Sequence, residues 1–194
     1  DQTPHPQLVY DHHENASMLA LLDSEQIDLV IGHERAEDIA TRDLTVVPLL
    51  RSRFCAVVTT ESPFAKLSKV RAEDLRDQVL LKFVDPYAAH GWRSIEEYLI
   101  RHGIKPRLRS VMGRLAAHQA TPVDNAVFIQ PSNTRNLKFL SDTGRYAVIP
   151  FEDDDAIFQL DCIYRREDEE RLRFLVDTFV ESRDIVVRHG EREQ

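Results

Sequence analysis

The sequence lacks a long apolar run, and this sets the first limits on its function. No stretch approaches the roughly 20 apolar residues that a helix needs to span a bilayer. The opening residues, Asp1 to Pro6, have neither the basic nor the apolar region of a secretion signal. We therefore expect a cytoplasmic protein that has no membrane partner.

Cysteine is also scarce. The chain has only two, Cys55 and Cys162, and each lies among apolar residues typical of strands. They do not form the CxxC spacing that metal sites and redox sites use. We predict two buried, reduced thiols, and a disulfide between them is the alternative that the sequence leaves open.

The chain has fewer basic than acidic residues. The chain carries 25 basic and 33 acidic residues, a formal net charge of -8. Such a surface repels a phosphate backbone, so we do not expect the isolated chain to bind duplex DNA. With 194 residues, of which 42% are hydrophobic and 30% charged, the chain is expected to fold as one large domain or as two small lobes.

Strands and helices alternate in the first part of the chain. A strand, a helix and a second strand within about 25 residues predict a βαβ unit. Two β segments follow, separated by the polar Arg51–Arg53, and this arrangement is typical of an antiparallel excursion or of a crossover between lobes. The predicted elements are a strand at Gln7–Asp11, a helix at Ser17–Leu22, and strands at Ile27–Gly32, Leu44–Leu50 and Phe54–Thr60.

The alternation resumes from Val79 and predicts a second βαβαβ lobe. Two further strands are expected to return to the first lobe before a closing helix. The predicted elements are strands at Val79–Phe83, Leu108–Met112 and Ala126–Ile129, helices at Trp92–His102 and from Arg114, returning strands at Tyr146–Pro150 and Ile157–Tyr164, and a last helix over about Glu167–Arg188.

Several short strings, in a fixed order, resemble the effector-binding domain of LysR-type transcription regulators. The stretch Leu21–Gly32 is similar to the family pattern in which a helix ends just before "(I/L)DLAI". The segment Glu61–Ala65 resembles its "HPLA" turn. The other similar strings are Val47–Leu50 followed by Phe54–Val58, Val70–Leu75 and Tyr164–Arg166.

The resemblance implies an α/β fold of the type II periplasmic-binding-protein class, in which two Rossmann-like lobes are joined by two crossover strands. We expect residues 1–50 and 146–194 to form lobe I and residues 51–145 to form lobe II. The family's opening strand and helix, its winged helix-turn-helix and its linker helix have no counterpart here. Pro122–Val127 also replaces the family's glycine-rich turn.

In open α/β lobes, ligands bind beyond the carboxyl ends of the strands, where loops and helix N-termini converge. The resemblance places the family's effector contacts at the same strand ends. The candidate ligand-binding residues are His13, Asn15, Ser17, His33, Phe83, Asp85, Tyr87, Met112, Gly113, Arg114 and Gln130.

These residues also have structural interpretations. Asn15 and Ser17 are typical helix caps, and Asp85 followed by proline is typical of a turn. The histidines and glutamates at 12–14 and 33–34 suggest a metal site only weakly, because they lack a defined ligand spacing. The acidic run Glu152–Asp155 is typical of a solvated turn.

The sequence favours a sensory module that closes on a small-molecule effector, without a cofactor. The resemblance implies a homodimer, a tetramer in the full-length regulator, and DNA contact only through the missing N-terminal domain. The alternatives are an extracytoplasmic solute-binding protein and an enzyme with Glu34 or Asp85 as general base. The enzyme is disfavoured because no GxSxG, HExxH or Walker motif is present.

Overall fold

The computed structural model describes residues 18–83, 86–111, 126–134 and 136–191. Within them the fold is a two-lobed α/β structure built on one seven-stranded sheet. None of the described helices is both long and apolar enough to cross a bilayer. The elements in chain order are α1 (Met18–Asp23), β1 (Leu29–Gly32), α2 (Ala36–Ala40), β2 (Leu44–Thr59), β3 (Val79–Phe83), α3 (Pro86–Arg101), β4 (Arg107–Val111), β5 (Ala126–Pro131), α4 (Asn136–Asp142), β6 (Tyr146–Pro150), β7 (Ile157–Arg165) and α5 (Glu169–Glu191).

Strand β2 crosses from one lobe to the other. Its first part, Leu44–Arg53, pairs antiparallel with β7, and its second part, Cys55–Thr59, pairs antiparallel with β6. Of the two predicted interpretations of this segment, the crossover is therefore correct. The predicted break at Arg51–Arg53 is wrong, because these polar residues continue the ladder opposite Ile157–Gln159 of β7.

Each lobe has helices on both faces of its part of the sheet. In the first lobe, α1 packs Leu19 and Leu22 against one face, and α5 packs Leu172 and Val176 against the other. In the second lobe, the largest apolar cluster lies under α3 and includes Phe54, Leu80 and Tyr98, while α4 covers the opposite face. Strand β7 joins these cores, because Phe158 packs on the second and Ile163 lies in the first.

Parallel pairing is confined to the second lobe among the described strands. There β3 pairs parallel with both β4 and β5, as expected for a βαβαβ unit. In the first lobe, β1 pairs antiparallel with β7. Its expected parallel neighbour at Gln7–Asp11 lies outside the described residues.

Most predicted elements are confirmed, with some differences in extent and position. Strands β3 and β6 have the predicted bounds, and α3 begins at Pro86, earlier than expected. The short helices α2 and α4 were not predicted. Strand β6 was expected to return to the first lobe, but it pairs with the second part of β2. The residue bounds of the two lobes stay a prediction.

Both thiols are buried and free. Cys55 is 2% exposed and Cys162 is fully buried. Because burial disfavours the charged thiolate, it raises the pKa of each thiol to about 12. The predicted buried, reduced thiols are confirmed, and the alternative disulfide is absent.

The acidic run Glu152–Asp155 is a turn between β6 and β7, as predicted, and two of its carboxylates also bind residues of the protein. Asp153 Oδ2 accepts hydrogen bonds from the Tyr98 hydroxyl at 2.6 Å and from the Ala72 backbone N–H at 2.9 Å. Asp155 binds Arg101 Nε at 3.0 Å and His102 Nε2 at 3.0 Å. This turn therefore holds the C-terminal end of α3 in place.

We expect Tyr98→Phe to lower the free energy of unfolding by about 1.5 to 3 kcal/mol, the usual contribution of a hydrogen bond to a charged group. The matched control is Tyr164→Phe, because Tyr164 is also buried but its hydroxyl makes no hydrogen bond to any described residue. Urea denaturation of both variants measures the effect. Equal losses in the two variants would contradict the role of Asp153.

Candidate functional site

The carboxyl ends of the second lobe's parallel strands lie at one edge of the sheet. Phe83, the last residue of β3, is opposite Val111, the last residue of β4. Gln130 lies one residue before the end of β5, which is the other parallel neighbour of β3. The structure therefore places two predicted ligand contacts, Phe83 and Gln130, on adjacent strands at this edge. Tyr87 follows in the first turn of α3.

The other predicted contacts divide into two groups. His33 lies within the part of the chain that the structure describes, directly after β1. The remaining predicted contacts lie outside the described residues: His13, Asn15, Ser17, Asp85, Met112, Gly113 and Arg114.

Gln130 carries an unsatisfied buried donor. Its side chain is 3% exposed, and its Nε2 has no hydrogen-bond partner among the residues that the structure describes. Its backbone carbonyl, in contrast, accepts a hydrogen bond from Cys55 Sγ at 3.4 Å. An unmade hydrogen bond of this kind costs about 1 to 3 kcal/mol, so such groups are rare in folded proteins and are often associated with function.

His33 is held between two carboxylates. Its Nε2 lies 2.9 Å from Glu97 Oε2 on α3, and its Nδ1 lies 3.4 Å from Asp161 Oδ2 on β7. Asp161 is 1% exposed and also accepts two hydrogen bonds from Gln159 Nε2, at 2.9 and 2.8 Å. The hydrogen bond to Asp161 is the largest cause of a raised pKa for His33, opposed by burial and reinforced by Glu97.

Both ring nitrogens of His33 are thus engaged within the protein. A protonated imidazole donates from both nitrogens, which matches two carboxylate acceptors. The ring connects the end of β1 in the first lobe to α3 in the second. In this arrangement His33 holds the two lobes together, and neither nitrogen is free to contact a ligand.

A cavity of about 220 Å³ lies beside His33, between α2 and α3. Glu34, the residue after His33, is 6% exposed and forms an ion pair with Arg93 of α3. The lining residues are Leu19, Glu34, Arg35, Asp38, Arg42, Arg93 and Glu96.

The sequence did not single out most of this lining. Asp38 lies in the five-residue helix α2, and Arg42 lies in the turn after it. Arg93 and Glu96 lie on α3, in a sequence pattern typical of an ordinary charged helix face. Charged helix faces are usually solvated, so no local signal marks them. Only the long-range contact between α3 and the end of β1 brings these charges together.

Further polar contacts tie α3 to the crossover strands. Ser94 Oγ and the backbone of Gln159 on β7 lie 3.4 Å apart, in two contacts. Gln159 Oε1 in turn accepts a hydrogen bond from Arg51 on β2 at 3.0 Å. The middle of α3 is therefore linked to both crossover strands.

The described residues do not contain a metal centre. Within 18–83, 86–111, 126–134 and 136–191, no three His, Cys, Asp or Glu side chains are grouped closely enough to hold a metal ion. The part of the suggested metal cluster at residues 12–14 lies outside these ranges.

The comparisons with known proteins give one matching family model and a set of similar folds. A family model described as "LysR substrate binding domain" matches residues 2–183. A search of curated protein sequences finds no match to this chain.

Among solved structures, the regulatory domain of MetR, a LysR family regulator from N. meningitidis, is similar with a TM-score of 0.66 at 17% identity. The alignment covers 94% of this chain and 79% of that one. The effector-binding domain of QuiR in complex with shikimate gives a TM-score of 0.57 at 17% identity, over 90% and 77% of the two chains. The BenM effector-binding domain with benzoate gives 0.56 at 18%, over 88% and 72%.

We expect His33 to make the stability of the protein depend on pH. The pKa of His33 is raised in the folded state. Its contribution to the free energy of unfolding is therefore complete at pH values below the unfolded pKa of about 6.5, and it is lost as the pH rises through the folded pKa. The free energy of unfolding of the wild type should therefore exceed that of His33→Gln most at about pH 6, and the difference should shrink as pH rises. Denaturant titrations of both proteins at constant ionic strength measure it. A difference that stays constant from about pH 6 to 8.5 would contradict this role.

Proposed function

The chain belongs to the family of LysR substrate-binding domains, and on that premise we propose that it is the ligand-sensing part of a LysR-type transcription regulator. Its ligand is a small organic or aromatic acid, bound in the cleft between the two lobes. In this proposal the domain performs no catalysis and needs no cofactor. Ligand binding closes the lobes, and the change passes to a DNA-binding segment outside this chain.

The observation that carries the proposal is the buried, unpartnered Nε2 of Gln130. It lies near the carboxyl end of β5, beside the end of β3, and this is the edge at which open α/β sheets bind ligands. A carboxylate or hydroxyl oxygen of a ligand would supply the missing acceptor. The cost of the unsatisfied donor in the free protein would then become a gain on binding.

The known relatives support an acid as the ligand. Shikimate and benzoate, the molecules bound in the QuiR and BenM structures, are both carboxylates. We propose that Ser17 and Arg114 bind the acid together with Gln130, since Arg114 supplies a guanidinium and both residues are predicted near helix N-termini. The other predicted contacts form the rest of the site in this proposal: His13, Asn15, Phe83, Asp85, Tyr87, Met112 and Gly113.

We propose a different role for one predicted ligand contact, His33. Because both nitrogens of His33 are bound to carboxylates of the protein, we assign it the role of holding the lobes in register at the cleft. No observation favours the alternatives of a solute-binding protein or an enzyme.

We expect Gln130→Leu to weaken effector binding by about 1.5 to 3 kcal/mol, the usual contribution of a hydrogen bond to a charged group. An effector is first identified by screening metabolite acids for a rise in melting temperature, and calorimetric titration then gives the affinities. Ser17→Ala and Arg114→Ala should show losses of the same size.

The matched control for Gln130→Leu is Thr45→Val. Thr45 Oγ1 is also buried without a partner, but it lies near the start of β2, opposite Tyr164 and away from the cleft. This variant should bind the effector as the wild type does. Unchanged affinity in Gln130→Leu, Ser17→Ala and Arg114→Ala would place the site elsewhere.

We also propose that the domain forms a homodimer, and that the full-length regulator is a tetramer. Sedimentation equilibrium at tens of micromolar, a range in which interfaces of standard size hold, should give the mass of two chains. A clean monomer throughout that range would contradict the proposal.

A further inference from the structure

The charged cavity between α2 and α3 indicates the chemistry of its occupant. We infer that it binds a small zwitterion, a molecule of the free amino acid type with one carboxylate and one ammonium group. This inference goes beyond the proposed function and concerns a second ligand site, because Gln130 is not among the described residues that line this cavity.

The first argument is the balance of charge. Among the described residues, the lining contains three guanidinium groups, on Arg35, Arg42 and Arg93, and three carboxylates, on Glu34, Asp38 and Glu96. A simple anion in this cavity would meet as many repulsive as attractive groups, and a simple cation would do the same. A ligand with both charges can place each one against its opposite.

The second argument concerns the groups that already have partners. Arg42 is held by Asp23 at 2.8 Å and by the backbone carbonyl of Asp38 at 2.6 Å. Oε1 of Glu96 accepts hydrogen bonds from Trp92 Nε1 at 2.6 Å and from Lys82 Nζ at 3.1 Å. These two side chains are therefore largely committed to the protein.

The groups that remain open have opposite signs. The Asp38 carboxylate makes no hydrogen bond or ion pair with any described residue. The guanidinium of Arg35 is 48% exposed, and its contact is a 3.6 Å ion pair with Glu37. Both residues belong to α2 and its N-cap. We assign the ligand carboxylate to Arg35 and the ligand ammonium to Asp38.

The buried pair of Glu34 and Arg93 completes the site. Glu34 is almost fully buried and bound to Arg93, while Arg93 remains 41% exposed with donors left over. Since five N–H donors are available on a guanidinium, Arg93 can keep Glu34 and still bind a ligand oxygen. The ligand would then contact α2 of the first lobe and α3 of the second.

The size of the cavity limits the ligand. At roughly 30 Å³ per water molecule, a volume of about 220 Å³ holds about seven waters. This matches a small metabolite, since drug-sized ligands occupy about 300 Å³ or more. Leu19 is the single apolar residue among the described residues of the lining, so a largely polar molecule fits best.

The test uses matched probes. The twenty protein amino acids are screened individually for a rise in the melting temperature of the domain. Each amino acid that binds is then compared by calorimetry with its deaminated acid and its decarboxylated amine. We expect the amino acid to bind at least about tenfold more tightly than either analogue, because each analogue loses one charge-assisted hydrogen bond.

Variants of α2 separate the two ends of the ligand. Asp38→Asn should weaken binding of the amino acid about tenfold and leave binding of its deaminated acid unchanged. Arg35→Gln should weaken both. The control is Glu170→Gln, which removes a charge at an exposed residue of α5 outside the cavity lining, and it should change neither affinity.

The outcomes distinguish this inference from the proposed function. If simple acids such as benzoate or shikimate bind through Gln130 and no amino acid binds, the domain is a sensor of acids and the zwitterion inference is wrong. Equal losses for the amino acid and its deaminated acid in Asp38→Asn would also overturn it. If neither acids nor amino acids bind, the proposed function fails as well.

Discussion

The antiparallel ladder between β2 and β7 supports the rest of the structure. It runs from Leu44 to Arg53 on β2 and is the most extensive strand pairing among the described residues. The same two strands then contribute to the apolar cores of both lobes, through Phe54 on one and Phe158 and Ile163 on the other. The position of each lobe is therefore set by backbone hydrogen bonds that the lobes share.

The contact between α3 and the first lobe is of a different kind. It consists mainly of ion pairs and hydrogen bonds, centred on His33 with Glu97 and Asp161, and on Glu34 with Arg93. Buried ion pairs add little net stability because desolvation opposes them, but they require specific partners in specific positions. A contact of this kind therefore defines one arrangement of the two lobes.

Much of the fold could be predicted from the sequence, because apolar runs such as Val79–Phe83 and Tyr146–Pro150 form strands wherever they are buried. The short helices α2 and α4 could not, since five or seven residues are too few to show a helical period. Arg51–Arg53 suggested a loop by polarity, yet these residues continue a strand, because their backbone pairs with β7 while the exposed side chains of Arg51 and Arg53 make polar contacts of their own. The order of the strings resembling LysR-type domains predicted the crossover connection that these local patterns left open.

Only part of the candidate site could be predicted, because the packing of distant segments forms the rest. Gln130 was identified because it follows an apolar strand, and a rule about strand ends applies to it directly. The residues that form the charged cavity follow no such rule, since Arg93 and Asp38 are more than fifty positions apart in sequence. Their proximity depends on how α3 packs across the crossover strands, and this packing is a property of the whole fold.

The reactivity of the two buried cysteines can report the local unfolding of each lobe. Cys55 lies on the part of β2 that belongs to the second lobe, whereas Cys162 lies on β7 in the core of the first. A thiol with a pKa of about 12 is almost entirely protonated at neutral pH and reacts slowly with alkylating reagents until it meets solvent. The rate at which each thiol is modified in the native protein therefore reports how often its own lobe unfolds. The two natural cysteines thus allow the local unfolding of the two lobes to be measured separately.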